Sequence, residues 1–460
     1  MATVAPQPLR RRVRGPVLTP DAPGYDEARA VFNGMVDRHP RFVVRPADTA
    51  DVMAAVRFAA GEELPLAVRG GGHSVPGYGV CDDGVVVDLS LLRYVRVDPE
   101  RRTARVGGGA LLGDLDHATH AWGLATPAGF FSTTGVGGLT LGGGVSAYLG
   151  RQHGMTCDNL VSADVVTAEG ERVTADADRH PDLFWALRGG GGNFGVVTSL
   201  ELRLHPVDTV VGGPLVFAPE GTADLLRFYD RYIQEAPREL GGFVALDRAL
   251  PLPFVPEERH GEPVCLVVAS WNGDPAEADA VLDPIRAAGP LVGEHVGPLP
   301  YPELQRAFDD HLPPGLPQYW KSDWVAGLGE EAVAAHVEHG LAVPNRFSTM
   351  HLYPVNGAVH DVDPEETAFA FRDARFSAVV VGAWEDPARE AEARAWVGDY
   401  HDAIHPWSGY DGGYTNYASP DDEARVRANF GRAWERLAGI KARWDPDNLF
   451  RLNQNIEPAA

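Results

Sequence analysis

Pro65-Leu66-Ala67-Val68-Arg69-Gly70-Gly71-Gly72-His73-Ser74 is the stretch on which the fold turns. Its apolar half reads as a strand, and three glycines open that strand into a loop. Successive glycines let backbone N–H groups point the same way, which holds a pyrophosphate without a helix or a lysine. The histidine directly after them is held against whatever the loop cradles. A tight turn carrying an incidental histidine is the alternative.

Working outward, a second loop runs Thr126-Pro127-Ala128-Gly129-Phe130-Phe131-Ser132-Thr133-Thr134-Gly135-Val136-Gly137-Gly138-Leu139-Thr140-Leu141-Gly142-Gly143-Gly144. Six of the ten residues from Gly135 are glycine, poor material for a core or a strand. Its natural use is close backbone contact with a large planar or phosphorylated cofactor. A third run, residues 188–195, contains the pattern Gly190-x-Gly192-x-x-Gly195. It leads into Val196-Val197-Thr198-Ser199-Leu200, a strand, whereas a dinucleotide fingerprint opens a helix. A nicotinamide Rossmann site is therefore disfavoured. GxxxxGK[ST], GxSxG and HExxH patterns do not occur. His336-x-x-His339 lacks a third ligand at suitable spacing and reads as a solvated helix face, so no metal is expected.

Strands at 42–44, 84–89 and 161–167 surround these loops, with helices at 49–61 and 111–122, the latter closed by Gly123. Residues 1–210 thus read as an α+β domain. After His205-Pro206 the glycine-dense loops end, and strands at 263–270 and 377–384 alternate with helices at 222–233 and 330–340. Residues 211–405 read as a second, α/β domain of sandwich type. Residues 406–460 are aromatic, with one helix expected at about 421–443.

The chain has 460 residues, with 40 Lys+Arg against 64 Asp+Glu, a formal charge of −24. Such a charge repels phosphate backbones, so nucleic acid is not an expected partner. No apolar run approaches the ~20 residues of a membrane helix. Arg10, Arg11, Arg12 and Arg14 form the one basic cluster and read as a frayed, solvated tail. Cys81, Cys157 and Cys265 are too scattered for a disulfide framework or zinc. A cytoplasmic monomer or homodimer is the expectation.

Further motifs extend the pattern: Arg151-Gln152-His153-Gly154-Met155-Thr156-Cys157-Asp158-Asn159-Leu160, Asp182-Leu183-Phe184-Trp185-Ala186-Leu187-Arg188, Tyr414-Thr415-Asn416-Tyr417, and Trp444-Asp445-Pro446-Asp447-Asn448-Leu449-Phe450-Arg451-Leu452-Asn453-Gln454-Asn455-Ile456. Together with the glycine loops they resemble, nearly end to end, the berberine-bridge-enzyme-like branch of the FAD-linked oxidases, with a PCMH-type (vanillyl-alcohol-oxidase-like) FAD-binding domain. The resemblance implies an α+β fold: a two-subdomain flavin domain (1–210, completed by 406–460) and an inserted substrate domain (211–405), an antiparallel sheet covered by helices. It implies FAD contacts from Arg69, Gly70, Gly71, Gly72, Ser74, Thr133, Thr134, Gly135, Gly137, Gly138, Thr140, Leu141, Gly142, Gly143, Asp158, Val197, Asn453 and Asn455. For the two asparagines, simple loop capping is the alternative. His73 is implied to be joined to the flavin 8α-methyl carbon. The cysteine that makes a second bond in many members is replaced here by Phe131, so single attachment is expected and Cys157 reads as a packed core thiol.

Flavin oxidation needs a group that takes a proton as hydride leaves. The resemblance points to Tyr417, with Tyr414, and His351 and Tyr353 on a strand at 349–355, as partners, and Tyr148 lining the pocket. Aromatic packing at a domain interface is the other reading of these partners. The small Thr134 favours dioxygen as acceptor, hence an oxidase releasing hydrogen peroxide, acting on a C–H next to oxygen or nitrogen in a small molecule. Aromatic residues around 301–324 and 406–417 lean towards an aromatic or polyketide-like substrate. A flavin dehydrogenase, a monooxygenase-like tailoring enzyme, or a non-catalytic flavin- or ligand-binding protein are the alternatives.

Overall fold

A computed structural model describes residues 5–460. Three parallel-paired strands start the chain: Phe42–Val44 and Leu66–Arg69 flank Val85–Asp88. These strands are buried on both faces, as parallel strands are, and Val17–Leu18 adds an antiparallel edge. The helix Thr49–Gly61 covers them, its first turn capped by the Asp48 side chain accepting from the Asp51 N–H. A five-stranded antiparallel sheet follows, ordered Val95–Asp98, Thr103–Gly107, Val196–Arg203, Leu160–Val166, Arg172–Asp176. The Gly190–Gly195 run does lead into a strand.

Residues 209–383 contribute an eight-stranded antiparallel sheet. Helices Thr222–Glu235, Ala278–Arg286, Glu330–Gly340 and Glu390–Ile404 bury their apolar stripes on one face of it. Strand period two then decides what faces the other way. Val244, Leu246, Met350, Leu352, Ala378 and Val380 point into the helix-covered core. Phe243, Ala245, Tyr353, Val379 and Val381 point towards the glycine-loop domain. What the sheet offers to a ligand comes from that second face, which also carries Trp320, Thr349 and His351.

Three expectations change. The glycine loop 135–144 is not open throughout: Val136–Leu141 forms a short helix, because Val136 and Leu141 are buried in the core and Thr140 Oγ1 donates back to the Val136 carbonyl at 2.7 Å. The helix at 421–443 is broken into Val426–Phe430 and Trp434–Trp444 by Gly431, whose φ of +49° cannot continue a helix. The N-terminal arginines are exposed, but their segment is anchored: Gln7–Arg10 is helical and buries Leu9 completely.

The C-terminal residues return to the first domain. Lys441, fully buried, donates to the Asn193 carbonyl at 2.7 Å, the Phe450 carbonyl at 3.0 Å and Asp445 at 2.6 Å. One ammonium thereby joins the end of the chain to the third glycine run. No helix among the described residues is long and apolar enough to cross a membrane.

Candidate active site

A cavity of about 290 Å³ lies between the glycine loops and the inward face of the eight-stranded sheet. Arg69, Gly70, Gly71, Gly72, His73 and Ser74 form one wall, with Thr134, Gly135 and Gly138 beside them. Gly191, Gly192, Asn453 and Gln454 close the flavin-domain side. Thr349, His351 and Tyr353 come from the sheet, and Asn416 and Tyr417 from the C-terminal segment.

The first wall is shaped for an anionic, planar guest. The N–H groups of Gly71 to Ser74 have no hydrogen-bond partner among the described residues. Gly72 holds a φ of +72°, a conformation that favours glycine at this turn. A Cβ added at Gly138 or Gly192 would meet nothing within 4 Å, so both backbones face open cavity. Side-chain oxygens of Asn453 and Gln454 are buried without partners. Unpartnered donors, bare backbone and orphaned amides fit a dinucleotide that carries both a pyrophosphate and a polar ring edge.

His73 is positioned by contacts the sequence did not announce. Its Nε2 lies 2.8 Å from Thr133 Oγ1, its Nδ1 3.4 Å from Thr134 Oγ1, and the Phe32 ring stacks on it at 3.9 Å. Enclosure by these groups pushes the imidazole down to about 4, so it stays neutral and nucleophilic near pH 7.

The opposite wall carries a chain of hydroxyls. Tyr417 and Tyr353 are hydrogen-bonded, and the Tyr353 hydroxyl lies 2.5 Å from Nδ1 of His351. Burial raises both phenols above their ordinary value and lowers His351 to about 3. The ground state is therefore neutral throughout, and Tyr353 O–H donates to His351. Trp320 and Tyr414 pack against Tyr417, at 5.6 and 4.8 Å between ring centroids.

Tyr414 itself stands behind the wall. Its oxygen accepts from the N–H of Gly144 at 2.8 Å, of Val145 at 3.2 Å and from Asn416 Nδ2 at 2.8 Å. Asn416 also donates to the Leu139 carbonyl, and it sits so close to Gly142 that any side chain there would strike its Oδ1. Tyr148 does not reach the cavity: it is fully buried among Phe130, Phe243 and neighbouring apolar groups, because its strand-facing neighbours fill the space in front of it.

Several residues expected at the cofactor lie outside the cavity wall. Gly137, Thr140, Leu141, Gly142 and Gly143 belong to or follow the short helix, which turns only Gly138 and Leu139 towards the cavity. Thr133 acts through His73. Asp158 is committed elsewhere, ion-paired to Arg372 at 2.6 Å and capping the Met155 N–H at 2.8 Å. Val197 is buried, with Gly108 packed on its carbonyl, and Asn455 is half-buried with its Oδ1 shut off from solvent and unpartnered. Cys157 is fully buried, its thiol pushed up by burial. Phe131 lines the cavity. His336 is not solvated: it is buried, with Nδ1 2.8 Å from the Tyr400 hydroxyl.

Sequence reasoning missed Phe32, His311, Trp320, Asn416 as a wall residue, and Gln454. Asn416 and Gln454 stood inside recognised motifs, whereas Phe32 and His311 carry no local signal. It also missed Asp323, where His401 and His405 lie at 3.2 and 3.1 Å. Arg425 donates to the same carboxylate at 2.6 Å and supplies its counter-charge.

Comparison with known proteins agrees with this geometry. A family profile described as "FAD binding domain" matches residues 40–176, and one described as "Berberine and berberine like" matches residues 413–457. The uncharacterized FAD-linked oxidoreductase YgaK of Bacillus subtilis is 30% identical, covering 98% of each chain. The (R)-6-hydroxynicotine oxidase of Paenarthrobacter nicotinovorans is 28% identical over 97% of each. Among solved structures, 6-hydroxy-D-nicotine oxidase from Arthrobacter nicotinovorans superposes with a TM-score of 0.85 at 27% identity, covering 100% of both chains. The BBE-like 1 protein of Physcomitrella patens gives 0.89 at 24% identity, again covering both chains in full at 100%, a likeness of fold.

Proposed function

The chain belongs to the berberine-bridge-enzyme-like FAD-linked oxidoreductases, and on that premise we propose that it is an oxidase of a neutral, aromatic-bearing small molecule. Bound FAD supplies a two-electron acceptor that takes hydride from a C–H next to oxygen or nitrogen and returns the electrons to dioxygen as hydrogen peroxide. Residues 1–210 and 406–460 hold the cofactor, and residues 211–405 present the substrate. Gly71 to Ser74 bind the pyrophosphate, and neutral His73 makes the single covalent attachment. Asn453 and Gln454 meet polar edges of the cofactor.

The observation that carries this reading is the pairing of walls across one cavity. Bare glycine backbone and a neutral histidine stand on one side, and the Tyr417–Tyr353–His351 chain on the other. Tyr417 receives the substrate proton as it passes its own to Tyr353, whose O–H donates in turn to His351. Arg69 is the one Asp, Glu, Lys or Arg on the wall among the described residues, and its guanidinium donates to the Ala28 carbonyl. Phe130, Phe131, Leu312 and Trp320 complete the lining. That lining favours a ring system over a sugar or a charged acid. Thr134, small and on the wall, leaves space for dioxygen.

Mass spectrometry of the denatured protein tests attachment: one FAD mass on the His73 peptide, none on Cys157, and none at all in His73→Ala. A panel of aromatic amines and alcohols, scored by anaerobic bleaching and by peroxide formed per substrate consumed, tests the reaction. Bleaching without peroxide in air sinks the oxidase reading in favour of a dehydrogenase.

A further inference from the structure

His311 lines the cavity from a three-residue turn, Asp309–His311, that crosses from the substrate domain. Its Nε2 is buried without a hydrogen-bond partner and lies 3.3 Å from Oδ2 of Asp247, an ion-pair contact. Asp247 is 7% exposed, deep on the strand Leu240–Arg248, with a backbone N–H of Arg248 on its other oxygen at 2.6 Å. A buried carboxylate facing an imidazole nitrogen shut off from solvent is costly unless the two share a proton. The reaction proposed above liberates one proton into this cavity, and His351 alone is a poor place for it: burial has already lowered its basicity, and the charge of His311 lowers it further.

We propose that His311 and Asp247 are the proton store of this active site, filled through Tyr417, Tyr353 and His351. The proposal rests on the oxidase reading. With bound FAD as the two-electron acceptor, one proton from the substrate's O–H or N–H would pass to the Tyr417 oxygen. In the same movement the Tyr417 proton passes to Tyr353, and the Tyr353 proton passes to Nδ1 of His351. His351 would release its Nε2 proton into the cavity that His311 also lines, and His311 would end as imidazolium beside the Asp247 carboxylate. Both phenols are restored, His351 has exchanged tautomers, and the substrate has lost two electrons and two hydrogens.

The other charged groups on the elements packed around His311 are occupied. Arg248 donates to the Val343 and Gly261 carbonyls. Asp309 accepts from the Ser132 N–H and hydroxyl, and Asp310 is exposed. Asp247 is thus the group that answers to the charge on His311.

Two measurements on the flavin-loaded full chain test the proposal. The first follows the potential of the bound flavin against pH, using slow enzymatic reduction with a reference dye and no substrate. The wild type should show an inflection where the pair takes up a proton as negative charge arrives on the flavin. Asp247→Asn and His311→Gln should each lose it, with flavin content unchanged. The second follows anaerobic bleaching by the best substrate. Each variant should slow it about 100-fold, the scale of general acid–base help, and abolish one limb of the pH profile. Tyr353→Phe combined with Asp247→Asn should cost no more than either alone, as members of one chain do. Potential and bleaching profiles that superpose on the wild type overturn the proton store while leaving the oxidase intact. Absence of peroxide with a normal potential inflection instead sinks the oxidase reading and leaves the pair standing.

Discussion

The hydroxyl of Tyr414 sits 2.8 Å from the backbone nitrogen of Gly144, 270 residues away in the chain. It accepts two more N–H bonds, from Val145 and Asn416, and so sews the C-terminal segment to the second glycine loop. Tyr417, three residues on, owes its place over the cavity to this stitch. Tyr414 therefore holds the segment in place, and Tyr417 is the tyrosine of the pair that lines the cavity.

Tyr414→Phe leaves those buried donors without their acceptor. It should destabilise the protein by about 1–3 kcal/mol, the cost of unsatisfied buried groups, and slow flavin bleaching with little change in substrate affinity. Urea unfolding with stopped-flow reduction checks both. Unchanged stability would mean that water replaces the phenol.

Lys441 and Asp445 are both fully buried and 2.6 Å apart. Lys441→Met strands the carboxylate and should cost about 3–5 kcal/mol, while adding Asp445→Leu should recover part of it by removing the orphaned charge. Denaturant midpoints of the two variants decide this. A double variant no better than the single would place the stabilisation in the carbonyl contacts to Asn193 and Phe450 instead.

Burial pushes the Asp116 carboxyl up to about 7, with Gln305 Nε2 3.5 Å away. The folded carboxyl thus holds its proton more tightly than the unfolded chain, where it titrates near ~3.9. Its favourable contribution is complete below that lower value and is lost as pH rises through about 7. Asp247, pushed up to about 6, acts in the same direction. Asp116→Asn should flatten the fall in stability between roughly pH 4 and pH 7, by an amount on the order of 1–4 kcal/mol. Unfolding curves across that interval, wild type against variant, give the comparison.

Thr134 borders the cavity next to His73. Thr134→Leu should slow reoxidation of the reduced flavin by dioxygen at least about tenfold, equivalent to ~1.4 kcal/mol, with substrate-driven bleaching retained. Stopped-flow mixing of the reduced protein with aerated buffer measures it. An unaltered reoxidation rate would mean that dioxygen arrives by another wall.

The chain's local texture determined a good deal. Glycine runs after apolar strands pointed to a phosphate-cradling loop, and a strand after Gly195 argued against a Rossmann turn; both are properties of a few consecutive residues. Helices at 49–61, 222–233 and 330–340 were legible because caps and apolar spacing act within one or two turns. The break at Gly431 was not, because a single glycine inside an apolar stripe is silent until its φ is known. Only the tertiary structure decided which tyrosine faces the cavity. Tyr148, Tyr353, Tyr414 and Tyr417 look alike as aromatics, yet one is packed away, one is a stitch and two form a hydrogen-bonded chain. Likewise Asp247 and His311 are 64 residues apart in sequence (311 − 247 = 64) and become partners only because a strand and a turn meet at 3.3 Å. Local backbone preference travels a few residues along the chain. Electrostatic partnership depends on distance through space, which no short stretch of sequence contains.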